Sequence, residues 1–373
     1  MLFRYQSMHC EARRQNGTRL TASKPVRMHA LCRFSGQPVR ENDVDEIRPA
    51  IERDGLRTVA SRQRFNVAGI IWTYQCSAAC RHCLFACGPG RPHVVMSTAD
   101  CLACLRAFHE LRRVIHLAGG ECFLFYDEML AMCREAQRQG VAPHFVETNS
   151  SWCTSDAVVD RRFRELRDAG ILGVLLSCDP YHQEFVPAER VQRSYLRAVE
   201  LFGEQNVMGG AVSASCGAEL EAIARDEAAL RDHVRSHPPG WIVGNAAKHL
   251  AQYLDRRPLE AFEQERCADQ FDIDRTWEFH FDPYGNLMTN CGIALGNARR
   301  MPPSELLTQE SIAANPLVRI VCDEGPVGLM RLAAARGFTP RSGYVQKCEV
   351  CYHARAFLRP HFPHILCPDE IYA

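Results

Sequence analysis

The sequence predicts an α/β fold: a partial (β/α)6 barrel followed by a small α+β domain. Three observations carry this. From Phe65 to about residue 250, short apolar runs alternate with segments of helical periodicity. The joints between them hold Gly, Ser and Pro where helices start and stop. Beyond residue 250 the alternation gives way to one hairpin and scattered cysteines.

Asn66–Thr73 is apolar and β-branched and reads as the first strand, leading into a loop rich in cysteine. Ser97 is placed as the N-cap of a helix running to about Arg113, with Asp100 in its first turn and Leu102, Leu105 and Phe108 at helical spacing. Val114–Ala118 reads as a buried strand ending in Gly119-Gly120, and the helix after it stops at Gly140. Ala142–Glu147 is the third strand, Ser155 caps a helix ending at Gly170, and Ile171–Ser177 is the fourth strand. Pro187 suits the first turn of a helix that ends near Gly203. Val207–Ala214 is the fifth strand, a helix starts near Ala218, and Trp241–Val243 is the candidate sixth strand. Six β-α units imply parallel strands with right-handed crossovers, and chemistry collects at the C-terminal ends of such strands. Glu278–Met288 reads as a hairpin with Pro283 and Gly285 near its turn. The expected organisation is therefore residues 1–64 as an N-terminal arm, 65–250 as the barrel and 251–373 as the second domain. The arm is read as mobile, with a transit peptide or an over-extended start (Met28 being the alternative first residue) as the other readings.

With 373 residues, 46% apolar and 24% charged, the chain can bury a full core. Its net charge is zero, so no broad field favours nucleic acid or an anionic membrane. No apolar run is long enough to span a bilayer, and no signal-peptide apolar region opens the chain; the expected location is cytoplasmic. Nineteen cysteines in such a chain read as reduced thiols, several of them metal ligands, rather than a disulfide scaffold. Cys101, Cys104, Cys122 and Cys133 lie in helical segments and read as small buried hydrophobes.

Cys76, Cys80 and Cys83 form a C-x3-C-x2-C run. Three thiolates on one short loop can hold a [4Fe-4S] cube and leave one iron open to a further ligand, much as an open catalytic zinc does. Cys87 extends the run, so a four-thiolate zinc or electron-transfer site is the alternative.

This spacing resembles the hallmark of the radical S-adenosylmethionine (radical SAM) superfamily, whose core fold is also a partial (β/α)6 barrel. The resemblance implies that SAM chelates the open iron, with His82 where the family usually has an aromatic residue. Gly119-Gly120-Glu121 resembles the family's GGE motif, which would hold the amino group of SAM. Glu147-Thr-Asn149-Ser resembles a Thr-Asn-Gly stretch, with Ser150 in place of glycine. Ser177 and Asp179, at the end of the fourth strand, match polar positions that face the SAM ribose. His182 lies on a rim loop suited to substrate contact, the alternative being a structurally satisfied side chain. Cys178 is a candidate hydrogen donor to a substrate radical, but side-chain alternation places it opposite Ser177 and Asp179, favouring a core role.

Cys348-Glu-Val-Cys351 is a metal-ligand pair by spacing. Together with Cys267, the hairpin and Cys291, it resembles the twitch/SPASM extension of radical SAM enzymes. That implies a second [4Fe-4S] cluster on Cys267, Cys291, Cys348 and Cys351, with Cys322 or Cys367 as replacements for Cys267 and a structural zinc as the alternative. Five residues rather than the usual four separate Gly285 from Cys291.

The family's activity is reductive cleavage of SAM to a 5′-deoxyadenosyl radical, which abstracts hydrogen from substrate. It implies an electron donor such as flavodoxin or ferredoxin. Three expectations follow: oxidation or epimerisation of a sugar or other natural-product small molecule; maturation of a ribosomal peptide; or a non-catalytic iron–sulfur or zinc protein. The first is favoured, because residues 1–64 lack the periodicity of a leader-peptide module.

Overall fold

A computed structural model describes residues 47–62, 67–209 and 214–372. Eight strands form one sheet: β1 (Val67–Ile71), β2 (Val114–Ala118), β3 (Phe145–Thr148), β4 (Gly173–Leu176), β5 (Val207–Gly209), β6 (Glu278–Phe281), β7 (Asn286–Thr289) and β8 (Ala294–Asn297). Their order is β5-β4-β3-β2-β1-β6-β7-β8. Strands β1 to β6 are parallel, and β7 and β8 add antiparallel. With β5 and β8 as its edges, the sheet is an open, partial barrel.

The α-helices described up to residue 202 are α1 (Ile47–Asp54), α2 (Leu56–Arg62), α3 (Thr98–Glu110), α4 (Tyr126–Arg138), α5 (Asp156–Asp168), α6 (Pro180–Gln183) and α7 (Ala188–Phe202), and further helices follow. The start signals act as expected: Ser97 and Ser155 accept from the Asp100 and Val158 amides at the N-termini of α3 and α5. Gly140 and Gly170 follow their helices at φ +72° and +91°, the left-handed conformation that favours glycine. Alternate residues of the central strands face two sides. Ala68, Ile70, Ile115, Leu117, Val146, Val174 and Phe279 face the helices in the main core, which also buries Cys101, Cys104, Cys122 and Cys133. Val114, Phe145, Leu175 and Met208 face inward.

Two expectations are corrected. Residues 47–62, expected within the N-terminal arm, form α1 and α2. Their Ile51, Leu56 and Val59 pack on the inward Val114, Phe145, Leu175 and Met208 and close the bottom of the barrel. The rest of the arm lies outside the described residues. The sixth parallel strand is not Trp241–Val243 but β6, from the hairpin, which pairs with β1 across the boundary expected near residue 250. Ile242 and Val243 are buried, but as a clamp: Gly244 takes φ +55°, and the Asn245 amide and side chain donate to the carbonyls of Cys83 and Cys80 at 3.0 Å each. A three-residue apolar run gives no periodicity to separate these outcomes.

Candidate functional site

The loop after β1 carries Cys76, Cys80 and Cys83 over the C-terminal ends of the strands. It is docked by close backbone approach. The Gly120 amide donates to Thr73 O at 2.7 Å and the Glu121 amide to Gln75 O at 3.0 Å. A Cβ on Gly120 would lie 2.0 Å from Gln75 O, and one on Gly119, at φ +137°, would lie 2.5 Å from Thr73 O. These glycines are there because the cysteine loop leaves no room for a side chain.

Two of the three sulfurs accept amide hydrogen bonds. Ala78 N donates to Cys76 Sγ at 3.4 Å, Asn149 Nδ2 to the same sulfur at 3.5 Å, and Cys87 N to Cys83 Sγ at 3.4 Å. Donors aimed at sulfur suit thiolates that carry charge. Cys87 lies beside Cys83, with its thiol hydrogen-bonded to that sulfur.

Cys76, Cys80, His82, Cys83, Gly119, Gly120, Asn149, Ser177, Asp179 and His182 line one cavity. Asp179 caps α6, accepting from the Tyr181 and His182 amides at 3.0 Å, and holds His182 Nδ1 at 2.7 Å. Burial alone would raise the Asp179 carboxyl; the charge of His182 and the hydrogen bonds from its ring and amide hold it well below the usual carboxylate range. Burial lowers His182, but Asp179 and Cys80 together keep it well above the ordinary histidine value. Asp179 and the thiol thus sandwich an imidazolium. His82 stacks on Tyr181 at 4.6 Å between ring centroids and stays neutral, burial pushing it down to about 4.

Two expected residues stand elsewhere. Glu121 is buried behind the cavity wall. Its carboxylate accepts from Thr148 Oγ1 at 2.9 Å, the Asn149 amide at 2.8 Å and the Phe123 amide at 3.1 Å. Burial raises it to about 7 against these bonds. It positions Asn149 rather than presenting an oxygen to a ligand. Cys178 packs with Val186 and Val191, off the cavity, as alternation predicts; the hydrogen-donor role is not supported.

The floor of the cavity holds residues not singled out from the sequence as site residues: His116 on β2, Glu147 on β3, Glu278 and His280 on β6, and Asn290 after β7. Glu278 Oε1 lies 2.6 Å from His116 Nε2 and 3.4 Å from His280 Nε2. His116 Nδ1 lies 3.1 Å from Glu147 Oε1, and Asn290 Nδ2 donates to Glu278 Oε2 at 2.9 Å. Against burial, Glu147 and Glu278 raise His116 to about 10, while His280 and His116 bring Glu278 down to about 2. Burial lowers His280. The available signals were a lone histidine inside Val114–Ala118 and the Glu-Phe-His alternation of β6, which puts both polar residues on one face.

Cys267, Cys348 and Cys351 are each electrostatic neighbours of Cys291, and Cys267 is also a neighbour of Cys348 and Cys351. Cys322 senses Cys291 alone among the cysteines, and Cys367 senses acids and arginines instead. The guanidinium of Arg355 faces Cys351 and Cys291, fully buried, with Nε and Nη2 unpartnered. Anionic sulfur is the acceptor such a group needs.

No helix among the described residues is long and apolar enough to cross a membrane. Compared with known families, residues 70–214 match the radical SAM superfamily. No curated protein matches the chain. Among solved structures, the chain is similar to the crystal structure of BtrN in complex with AdoMet and 2-DOIA. The TM-score is 0.42 at 12% identity, and the match covers 70% of this chain and 89% of that one.

Proposed function

Starting from a chain whose residues 70–214 form a radical SAM superfamily domain, we propose that it is an oxidoreductase acting on a small polar molecule, a sugar or other natural-product intermediate, by net oxidation or epimerisation. The observation that carries the substrate reading is the cavity floor. His116, Glu147, Glu278, His280 and Asn290 give it a dense set of polar groups facing the cysteine loop. Helices α1 and α2 close the barrel beneath it. A small molecule bearing several hydroxyl or amino groups finds partners there, whereas an extended peptide would have to pass through the closed end.

When bound on Cys76, Cys80 and Cys83, a [4Fe-4S] cluster with SAM on its open iron supplies a 5′-deoxyadenosyl radical that abstracts hydrogen from substrate. The protein's own work is placement and exclusion of water. Gly119 and Gly120 offer backbone to the ligand at close range, and Asn149 and Ser177 offer side-chain polar atoms from β3 and β4. His182, held charged by Asp179, places a cation beside Cys80, where it favours the thiolate form. Trp241 and Phe85 cover the cavity's apolar side.

The extension after residue 250 is read as twitch/SPASM-like, holding a second [4Fe-4S] cluster on Cys267, Cys291, Cys348 and Cys351. The buried Arg355 offsets its charge. Such a cluster would accept the electron left on an oxidised substrate. Flavodoxin or ferredoxin would supply the first electron.

The test is anaerobic incubation of reconstituted protein with dithionite and SAM. Formation of 5′-deoxyadenosine, lost in Cys76→Ala, Cys80→Ala and Cys83→Ala, supports the reading; no formation in wild type with intact clusters rejects it. Transfer of deuterium from a labelled polyol or amino sugar, but not from peptides, into 5′-deoxyadenosine supports the substrate class. The opposite pattern would favour peptide maturation.

A further inference from the structure

We infer that the cavity floor is a binding site for a first-row divalent cation, held by His116 Nε2, His280 Nε2 and Glu278 Oε1. These three atoms lie within 4.8 Å of one another. Glu278 Oε1 is shared, 2.6 Å from one imidazole nitrogen and 3.4 Å from the other. With bonds of about 2.1 Å to nitrogen and oxygen, ligand atoms around one cation sit roughly 3.0–3.4 Å apart, so the Glu278–His280 pair already has that spacing and the Glu278–His116 pair has to open by about 0.4–0.8 Å. Two imidazoles and one carboxylate are a donor set for zinc, iron or manganese with positions left open.

The surroundings are those of a metal site as well. His116 Nδ1 lies 3.1 Å from Glu147 Oε1, off hydrogen-bond alignment but close enough for the carboxylate to serve as the outer partner of a ligating ring. Asn290 donates to the second oxygen of Glu278, leaving Oε1 to the ligand side. His280 is 2% exposed, its Nδ1 has no hydrogen-bond partner, and its Nε2 points at the shared oxygen. A purely structural ion pair gives His280 no reason to be there. Charge points the same way. Glu278 and Glu147 place two carboxylates against His116, which can carry one positive charge; a dication with two neutral imidazoles balances both.

The backbone makes room for this group. Gly69 pairs with His116 on one side and His280 on the other. A Cβ there would lie 2.5 Å from His280 Cδ2 and 2.6 Å from His116 Nε2. Only a glycine at this register lets both imidazole edges meet over the middle strand. The open coordination positions face the cavity, where an oxygen or nitrogen of a chelating substrate would complete them.

The site does not depend on the SAM reading, and neither does its test. Anaerobically reconstituted full-length protein, its clusters oxidised and silent in electron paramagnetic resonance, is titrated with Mn²⁺, an ion that thiolates bind poorly. One Mn²⁺ per chain is expected, displaced by Zn²⁺. Glu147→Gln should weaken binding by about 10–100-fold. Glu278→Gln and His280→Gln should abolish it with iron content unchanged. His280→Gln keeps the test sound if Glu278→Gln fails to fold, since His280 contributes only the long 3.4 Å approach to Glu278 Oε1 and leaves the His116–Glu278 pair in place. No Mn²⁺ on wild type, or equal Mn²⁺ on wild type and on His280→Gln with full iron, overturns the assignment.

Discussion

Replacing Gly120 by alanine should unseat the cysteine loop. The added Cβ would meet Gln75 O at 2.0 Å, Gln75 C at 2.5 Å and Cys76 Cβ at 3.0 Å. Two of these are backbone atoms with no rotamer to relieve them. Reaching ordinary contact needs a shift of about 1.4 Å in the segment that carries Cys76, the first of the proposed cluster ligands. Overpacking of this kind costs about 1–3 kcal/mol, and losing the amide bonds that Gly120 and Glu121 donate to Thr73 and Gln75 adds about 1 kcal/mol each. The total, about 3–5 kcal/mol, corresponds to a fall in Tm of roughly 4–6 °C for a chain of this size. A ligand displaced by 1 Å also costs about 100-fold in rate. Gly90→Ala is the matched control: it lies on the same loop, and a Cβ there meets nothing within 4 Å. Anaerobic melting curves, iron per chain and 5′-deoxyadenosine formation are measured for both variants. If Gly120→Ala keeps its iron and melts within 2 °C of Gly90→Ala, the docking argument is wrong.

Other expected outcomes test other parts of the molecule. Cys267→Ala should lower iron from about eight to about four atoms per chain, while Cys322→Ala and Cys367→Ala keep it; equal losses in all three would break the assignment of the second cluster. Arg113 is buried and donates to the carbonyls of Ile273 at 2.6 Å, Val67 at 3.2 Å and Thr276 at 3.3 Å, tying the start of β1 to the lead into β6. Arg113→Met should cost about 2–4 kcal/mol in urea unfolding, and Arg113→Lys less. Without added divalent cations, His116→Gln should destabilise by about 3–5 kcal/mol below pH 6.5, by removing the cation that faces the buried Glu278 at 2.6 Å. His116 is raised to about 10 in the fold, so its contribution is fully present below the ordinary histidine value near 6.5 and is lost as pH rises through about 10. The gap between wild type and variant should therefore narrow over that window; a gap that is flat with pH refutes the charged pair. Cys178→Ala should leave product yield and stereochemistry unchanged, since its thiol packs on Val186 and Val191.

The parts of this molecule that its sequence displays are local. Val114–Ala118 is legible as a strand because an apolar run ends in glycines, and the strand has those bounds. The ends of α3, α4 and α5 follow from serine caps and C-terminal glycines within a few residues of the chain itself. The cysteine loop is legible for the same reason: its three cysteines share eight consecutive residues, so spacing alone brings the thiols together. Helix α2 is not legible in the sequence because Leu56 and Val59 signal too little in seven residues; what holds it is Asn206 Oδ1 accepting from the Leu56 amide at 2.7 Å, 150 residues away in the chain.

The cavity floor shows why non-local sites stay hidden even when every signal is printed. His116 is a polar residue in an apolar strand, Gly69 a glycine in another, and Glu278 and His280 alternate on a hairpin strand. Each is ordinary by itself: strands tolerate a buried histidine, and glycines mark many bends. They become one object only through two registers, Gly69 opposite His116 and Gly69 opposite His280, and the second depends on β6 crossing more than 200 residues to lie beside β1. Parallel pairing at that separation leaves no periodicity in the intervening chain, so nothing short of the sheet order could have joined them. The glycine is the informative residue of the three. A valine at position 69 would strengthen β1 as a strand and would fill the space the two imidazoles need. That the strand gives up this packing at its centre argues that the group above Gly69 has a use, which measured cation binding can establish or deny.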